Sequence, residues 1–421
     1  MTAPAPKAAF TSANPHALAT IMAASETRKI IASRDIFDIS GNKLWAGNQP
    51  VSASLQRRLL DRQLRNPLET CLMAEDGVTP LVLAQSVQAL MSAATPLAAL
   101  VQPHAPRIAL EAGHLPLHPV VQLLLSTAQT ARPAAYNHAI QAMAVAGALM
   151  VESGGSVAEV RLAMLGGLLH DVGELYIDPR FGEADADRSM DFASYQQLVV
   201  HPHVGQLLIT QLTNYPAALG RAIAEHHERL DGSGYPHALK RENLSTLGRL
   251  LAVTETTCAV LRGEAPYLAR VSVALRVVPG EFDLSWASRI GDAARAQPAL
   301  HGQLPIEAVQ ARLTRLDAAL QSTLDSAQEG AAQAETAALK SGLQLARHLL
   351  GRLRTGWFAS GLWSAEAIAD QDAAEVEAVE DELYFRLRGI ERATRLSAGE
   401  LPAADGERLE RFCGDIQAWA A

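Results

Sequence analysis

Seven of the thirteen histidines fall between residues 138 and 237: His138, His170, His201, His203, His226, His227 and His237. Four places among them recur at intervals of about one helix plus its connection, namely His138, His170-Asp171, His201 and His226-His227, and an acidic residue, Glu255, follows. Helices at that spacing can each turn one ligand inward. A mixed imidazole and carboxylate set suits first-row metals such as iron or manganese. An Asp has two oxygens with which to bridge two ions, which makes Asp171 the natural bridging ligand. Two ions sharing a hydroxide supply a nucleophile at neutral pH and neutralise charge on a phosphoryl oxygen, so the chemistry indicated is phosphodiester hydrolysis. A His-Asp dipeptide alone says little; its partners decide. The chain holds no Gly-rich phosphate loop, no nucleophile elbow around a serine and no fixed-period repeat, so the histidines are where the chemistry must lie.

Three segments carry a more specific signal: HDVGELYIDP at 170–179, HPHVGQLL at 201–208 and HHERLDGSGYP at 226–236. Together they resemble the HD-GYP family, over about residues 126–285. The resemblance implies a helical HD-domain core with a metal centre that hydrolyses cyclic di-GMP to linear pGpG or GMP in bacterial second-messenger signalling. Matched position by position, it implies the ligands His138, His170, bridging Asp171, His201, His226 and His227, with Glu255 where the family usually has Asp. His170 and Asp171 are the implied catalytic pair. Some members bind a third ion through a Glu one turn before the first histidine, where this chain has Ala134, so two divalent ions are expected. The substrate-facing and motif-loop positions are Glu174, Asp231, Gly234, Tyr235 and Pro236.

The same comparison exposes departures. Glu174 stands where the family usually has lysine, and Ala265, Leu268 and Ala269 stand where it has basic residues around Pro266-Tyr267. At about 4 Å and an effective dielectric near 20, two like charges repel by roughly 4 kcal/mol, enough to matter for an anionic substrate. Arg180, Arg262 and Arg270 are near in sequence, but a surface arginine is ordinarily just solvated. His203 and His237 match no family ligand and read as solvent-facing. Three functions stay open on these residues: a cyclic di-GMP hydrolase, a catalytically weakened module that senses cyclic di-GMP or a protein partner, and an HD-type phosphohydrolase acting on another nucleotide.

The elements that must position these groups are mostly helical. Hydrophobic residues make up 48% of the 421 and aromatics 5%, and Ala and Leu dominate the apolar set, which favours helix over strand. The expected architecture is mainly α: a helical HD-domain core, a small N-terminal domain containing a β-hairpin, and a C-terminal helical region. The divisions expected are a flexible Pro/Ala/Ser-rich tail at 1–15, an accessory or regulatory domain at 16–125, the phosphohydrolase domain at 126–300, and a C-terminal bundle or hairpin at 301–421. Turn formers Ser40, Gly41 and Asn42 between Ile36-Phe37 and Leu44-Trp45 predict the hairpin. Leucines at 55, 59, 60 and 64 predict a helix over 54–65, and Leu162, Leu165, Leu168 and Leu169 predict another over 160–169. In the last zone, helix breaks are expected at Gly330, at 351–361 and at 397–406. There the acidic run 366–382 reads as a solvated face, and Trp357, Phe358 and Trp363 read as core.

Charge and cysteine usage set the surroundings. A formal charge of -9 gives no general attraction for polymeric nucleic acid. Cys71, Cys258 and Cys413 lie too far apart for a thiolate knot or a disulfide scaffold, which fits a reducing cytoplasm. No window of about twenty apolar residues predicts a membrane span, and Met1–Ala24 does not read as a signal peptide. The expected partners are a cyclic dinucleotide and, through the flanking zones, a signalling protein. Dimerisation is left open.

Overall fold

The computed structural model describes residues 10–59, 61–181, 192–263, 267–297, 305–359 and 373–420. By its contacts the chain forms two compact units, one of residues 1–190, 197–228 and 234–258, the other of 191–196, 229–233 and 259–421. Both are mainly helical.

Helix starts in the first unit follow proline. Helices α1 (Pro15–Ser25), α3 (Pro80–Ser92), α4 (Pro96–Val101), α6 (Pro119–Ala131) and α7 (Pro133–Glu152) all have Pro at the first helical position, and α5 (Ala105–Ala112) has Pro106 at the second. Proline has no N–H to lose there, and its fixed φ suits the first turn. Asn14, Thr79 and Thr95 accept from backbone N–H groups as N-caps, and α8 (Val157–Leu169) begins with a Ser156–Glu159 capping box. The remaining helices before residue 263 are α2 (Ala53–Leu59), α9 (Phe192–Leu198), α10 (His201–Leu212), α11 (Ala217–Glu225) and α12 (Thr246–Arg262), of which α9 and α12 have residues in both units.

Among the described residues four short strands accompany them: β1 (Ile30–Ala32), β2 (Ile36–Phe37), β3 (Lys43–Trp45) and β4 (Leu72–Ala74). The expected hairpin is present as the antiparallel pair β2–β3. Asp38 closes it by accepting from the Asn42 backbone N–H and amide at 2.9 Å each. A second antiparallel pair, β1–β4, joins segments about forty residues apart and had no local turn signal. Ile21, Ile30, Ile36, Leu55, Leu68 and Leu123 share one buried cluster that seats both pairs on α1, α2 and α6.

Several expectations change here. The leucine-patterned helix over 54–65 is shorter, ending at Leu59. Asp61 has φ 57°, and Leu64 instead bridges to Asp38, so tertiary pairing overrides the helical spacing. Residues 10–15 are no tail: Phe10 is buried, Thr11 accepts from the Leu64 N–H, and Asn14 caps α1. The expected division between 125 and 126 falls inside the continuous helix α6.

The second unit contains α13 (Leu268–Arg276), α14 (Leu284–Arg295), α15 (Ile306–Gln333), α16 (Ala337–Ala359), α17 (Ala373–Ala398) and α18 (Ala403–Ala420). Leu316, Leu320, Leu343, Leu350, Leu383 and Ile416 belong to its buried cluster. Helix α15 runs through Gly330, so the expected break there is absent. It stops where Asp405 takes up the Glu335 and Thr336 N–H groups and the Thr336 hydroxyl. Gly351 and Gly356 also lie inside a helix. At Gly356 a Cβ would come 2.0 Å from the Val277 carbonyl, so the residue is needed for close approach. Gly399, with φ 62°, marks the expected break after α17.

In the acidic run, Glu380 and Glu382 are buried rather than solvated, held by Arg312 at 3.3 Å and Arg386 at 2.8 Å. Glu366, Asp370, Asp372 and Trp363 lie outside the described residues, as do Ala265 and Pro266. Phe358 is exposed, against the core reading of its cluster. Among the described residues no single helix is long and apolar enough to cross a membrane. The three cysteines are buried and form no disulfide.

Candidate metal centre

Close packing of α7 on α8 brings the first two histidines together. A Cβ at Gly167 would sit 2.3 Å from the Ala142 carbonyl, so only glycine lets the helices approach this far. As a result His138, from α7, and His170, which caps α8, place their Nε2 atoms 3.0 Å apart. Asp171 follows at once and opens the 3-10 turn Val172–Tyr176. That turn packs on the start of α10 through Gly173, where a Cβ would meet the His201 carbonyl at 2.0 Å. His201 is the first residue of α10, and His226 caps α11 with His227 next to it. Glu255 projects from the interior of α12.

The seven side chains form two groups that share Asp171: His138, His170, Asp171 and Glu255, and Asp171, His201, His226 and His227. Each Asp171 oxygen serves one group. Oδ2 lies 3.0 Å from His138 Nε2 and 3.2 Å from His170 Nε2. Oδ1 lies 3.3 Å from His201 Nε2 and 3.2 Å from His226 Nε2. Glu255 Oε2 is 2.8 Å from His138 Nε2 and 3.0 Å from His170 Nε2, so the extra methylene relative to Asp is accommodated.

The rings are turned for coordination. Nδ1 of His170, His201 and His226 faces the carbonyl of Gly167, Leu198 and Ile223 at 2.7, 2.7 and 2.6 Å. A carbonyl only accepts, so each Nδ1 carries a proton and donates it, which leaves each Nε2 facing the centre. The Nε2 atoms of His138 and His170 stand 3.0 Å apart, and those of His201 and His226 3.1 Å apart. They suit neighbouring ligands of one ion: at a bond length of roughly 2.1 Å, ligands at right angles stand about 3.0 Å apart. Neither Asp171 oxygen, though buried, accepts a well-formed hydrogen bond. The donor set therefore fits divalent metal on geometry and on chemistry.

Protonation points the same way. Burial acts to raise the Asp171 and Glu255 pKa values, but the facing imidazoles hold both well below the usual carboxylate range. Burial would lower His170, yet Asp171 and Glu255 hold it well above the usual imidazole range. For His226, burial and then the neighbouring His227 push it well below. Two carboxylates this close to His170 favour a positive charge in the place a metal cation would take.

Around the centre, Tyr235 stacks on His227 with centroids 4.5 Å apart and planes at 15°. Asp231 accepts from the Ser233 N–H and hydroxyl at 3.0 and 2.7 Å, which makes it a turn former. Gly234 and Pro236 complete the loop, both partly buried. Leu268 is buried at the start of α13, so it reads as a core residue. His203 and His237 are exposed. Ala134 is exposed near the start of α7 and offers no ligand.

Glu174 is not a surface acid. It is 3% exposed, in the turn after Asp171, so it does not rotate out into solvent. The buried Arg132 guanidinium donates to the Glu174 carbonyl at 2.8 Å and to the Ile177 carbonyl at 3.4 Å. A positive charge thus sits on the same turn. Of the three arginines named from sequence, Arg180 pairs with Asp178 at 2.7 Å and Arg270 with Asp381. Sequence reasoning missed Arg132, whose one signal was a cation directly before the helix-starting Pro133.

The HD domain family matches residues 124–279, and the three motif segments all lie inside that stretch. Residues 124–279 therefore carry an HD domain, and the segments that resemble the HD-GYP family lie within it. Over 151 residues the chain is 30% identical to a cyclic di-GMP phosphodiesterase of Pseudomonas aeruginosa, a match covering 36% of this chain and 36% of the relative. It is 33% identical over 124 residues to a cyclic di-GMP phosphodiesterase response regulator of Xanthomonas campestris pv. campestris, covering 29% and 32%. With a 3'3'-cGAMP-specific phosphodiesterase of Vibrio cholerae it shares 28% identity over 106 residues, covering 25% and 22%. The matches thus span about a third of these relatives' length or less.

Proposed function

We propose that this chain is a metal-dependent phosphodiesterase that hydrolyses cyclic di-GMP to linear pGpG and GMP. The observation that carries the reading is the division of labour at Asp171, with Oδ2 turned to His138 and His170 in the group that includes Glu255, and Oδ1 to His201 and His226 in the group that includes His227. A bridging carboxylate between two imidazole-rich groups is the ligand pattern of a two-ion hydrolytic site, and this donor set favours iron or manganese. Divalent ions held there supply Lewis acidity toward a phosphoryl oxygen and acidify water at neutral pH.

The protein's own part is to orient and to shield. The Gly167, Leu198 and Ile223 carbonyls fix three ring tautomers. Tyr235 covers one face of His227. The ligand shell is buried, which strengthens every charge interaction within it. The test is direct: supply iron or manganese to the purified chain under reducing conditions, follow cyclic di-GMP consumption, and compare His170→Ala and Asp171→Ala. Absence of metal-dependent turnover in the wild-type chain would sink the proposal.

A second reading rests on Glu174, an acid where the family usually has a lysine. It keeps the metal core and gives up hydrolysis of cyclic di-GMP, either binding it without turnover or acting on another cyclic dinucleotide. Running the same assay with 3'3'-cGAMP, alongside equilibrium binding of both nucleotides, separates these outcomes.

A further inference from the structure

The turn Val172–Tyr176, which begins directly after Asp171, is held on one side by the His201 backbone through Gly173. Residues from the N-terminal segment hold it elsewhere. The Tyr176 hydroxyl donates to Glu69 Oε1 at 2.6 Å. Asn14, whose Oδ1 caps α1, donates from Nδ2 to the Tyr176 carbonyl at 3.1 Å. The Phe10 ring meets the Tyr176 ring edge-on at 5.8 Å. Glu69 lies in the 3-10 turn Leu68–Thr70 that leads into β4, so the hydroxyl is tied to the strand-bearing part of the fold.

Glu69 and Tyr176 are 4% and 6% exposed. Burying a carboxylic group is costly unless it is hydrogen-bonded, and an apolar pair would fill the same space without that cost. What the polar pair adds is direction: one bond length and one angle fix where Tyr176 sits. Five residues earlier on the same short turn is the carboxylate that both ligand groups share. Burial raises the Glu69 carboxyl, and burial together with Glu69 holds the Tyr176 phenol well above its usual range, so the hydroxyl remains a donor.

We propose that Glu69 and Tyr176 are positioning residues of the metal centre: their hydrogen bond sets the place of Asp171, and through it the N-terminal segment sets metal affinity. This rests on the metal-centre reading above. Neither residue belongs to either ligand group, so the effect is on ion binding before any effect on turnover.

The test is a Mn²⁺ titration of the full chain, followed calorimetrically and paired with thermal melting. Tyr176→Phe and Glu69→Leu remove the bond, and each should weaken Mn²⁺ binding by about tenfold, the lower end for loss of an orienting partner. The double variant should be no worse than the weaker single one, because one bond is lost in all three. Glu69→Gln keeps an acceptor oxygen and should retain most of the affinity. Leu55→Ala, in the same N-terminal core, is the control: it should lower the melting temperature and leave Mn²⁺ affinity alone. Wild-type affinity in Glu69→Leu and Tyr176→Phe, or an equal loss in Leu55→Ala, would overturn the proposal. A wild-type chain that binds no Mn²⁺ would overturn the metal-centre reading and this inference together.

Discussion

Replacing Glu255 by aspartate restores the residue usual in the family, and the structure says it should weaken the site. Glu255 Oε2 now stands 2.8 and 3.0 Å from the His138 and His170 nitrogens. Shortening the side chain by one carbon–carbon bond withdraws the oxygen by about 1.5 Å. An ion held at roughly 2.1 Å would then see it near 3.6 Å, outside any coordination distance. The backbone cannot advance to compensate, because Glu255 lies inside α12 among Val253, Thr254, Thr257 and Cys258, all buried. Losing even an outer-shell partner typically costs 10–100-fold in metal affinity, and losing this carboxylate should cost at least that, about 1.4–2.8 kcal/mol. Anaerobic calorimetric titration with Mn²⁺ or Fe²⁺ reads it. The expected result is one site weakened by that factor, while the site built from His201, His226 and His227 changes by no more than a few-fold. Two sites of wild-type affinity in Glu255→Asp would refute the assignment of Glu255 as a ligand fitted by its own length.

Metal binding should release protons, because His170 holds one well above the usual imidazole range in the metal-free centre and must lose it to coordinate. Its raised pKa also means that apparent metal affinity falls as pH is lowered; titrations in buffers of different ionisation enthalpy measure the release, and zero release contradicts the account. Gly173→Ala drives a Cβ to within 2.0 Å of the His201 backbone carbonyl and should destabilise the fold by roughly 1–3 kcal/mol or more in urea unfolding, with weaker metal binding. Glu174→Lys places a second buried cation on the turn that Arg132 already holds, so a lower melting temperature, rather than a gain in turnover, is expected. Asp405, with a pKa lowered to about 2 by its hydrogen bonds to Thr336, gives stability that is present above the ordinary carboxylate range and is lost as pH falls toward 2. Asp405→Asn should therefore be less stable than wild type at pH 6 and converge with it near pH 2, as read by circular dichroism.

That these seven side chains would meet was legible because the residues recur on successive helices and sit in short, position-specific motifs. Glu255 could be placed by alignment with those motifs, though only the geometry shows that its longer side chain reaches. The residues that hold the centre were not legible. Arg132, Asn14 and Glu69 act on the 172–177 turn from 42, 162 and 107 residues away, and no local pattern announces such a partner. Tertiary pairing likewise shortened α2, where Leu64 bridges to Asp38 instead of extending the leucine stripe. Glu380 and Glu382 looked solvated by composition and are buried because Arg312 and Arg386 meet them. Gly330 lies within α15 because a lone glycine costs a helix only about 1 kcal/mol, which packing along a long helix can offset.

The most direct test of the centre is anomalous scattering from crystals grown with Mn²⁺. The account requires two peaks flanking Asp171, one among Oδ2, His138, His170 and Glu255, the other among Oδ1, His201, His226 and His227. The absence of manganese from both positions, or a peak that does not touch Asp171, would contradict it.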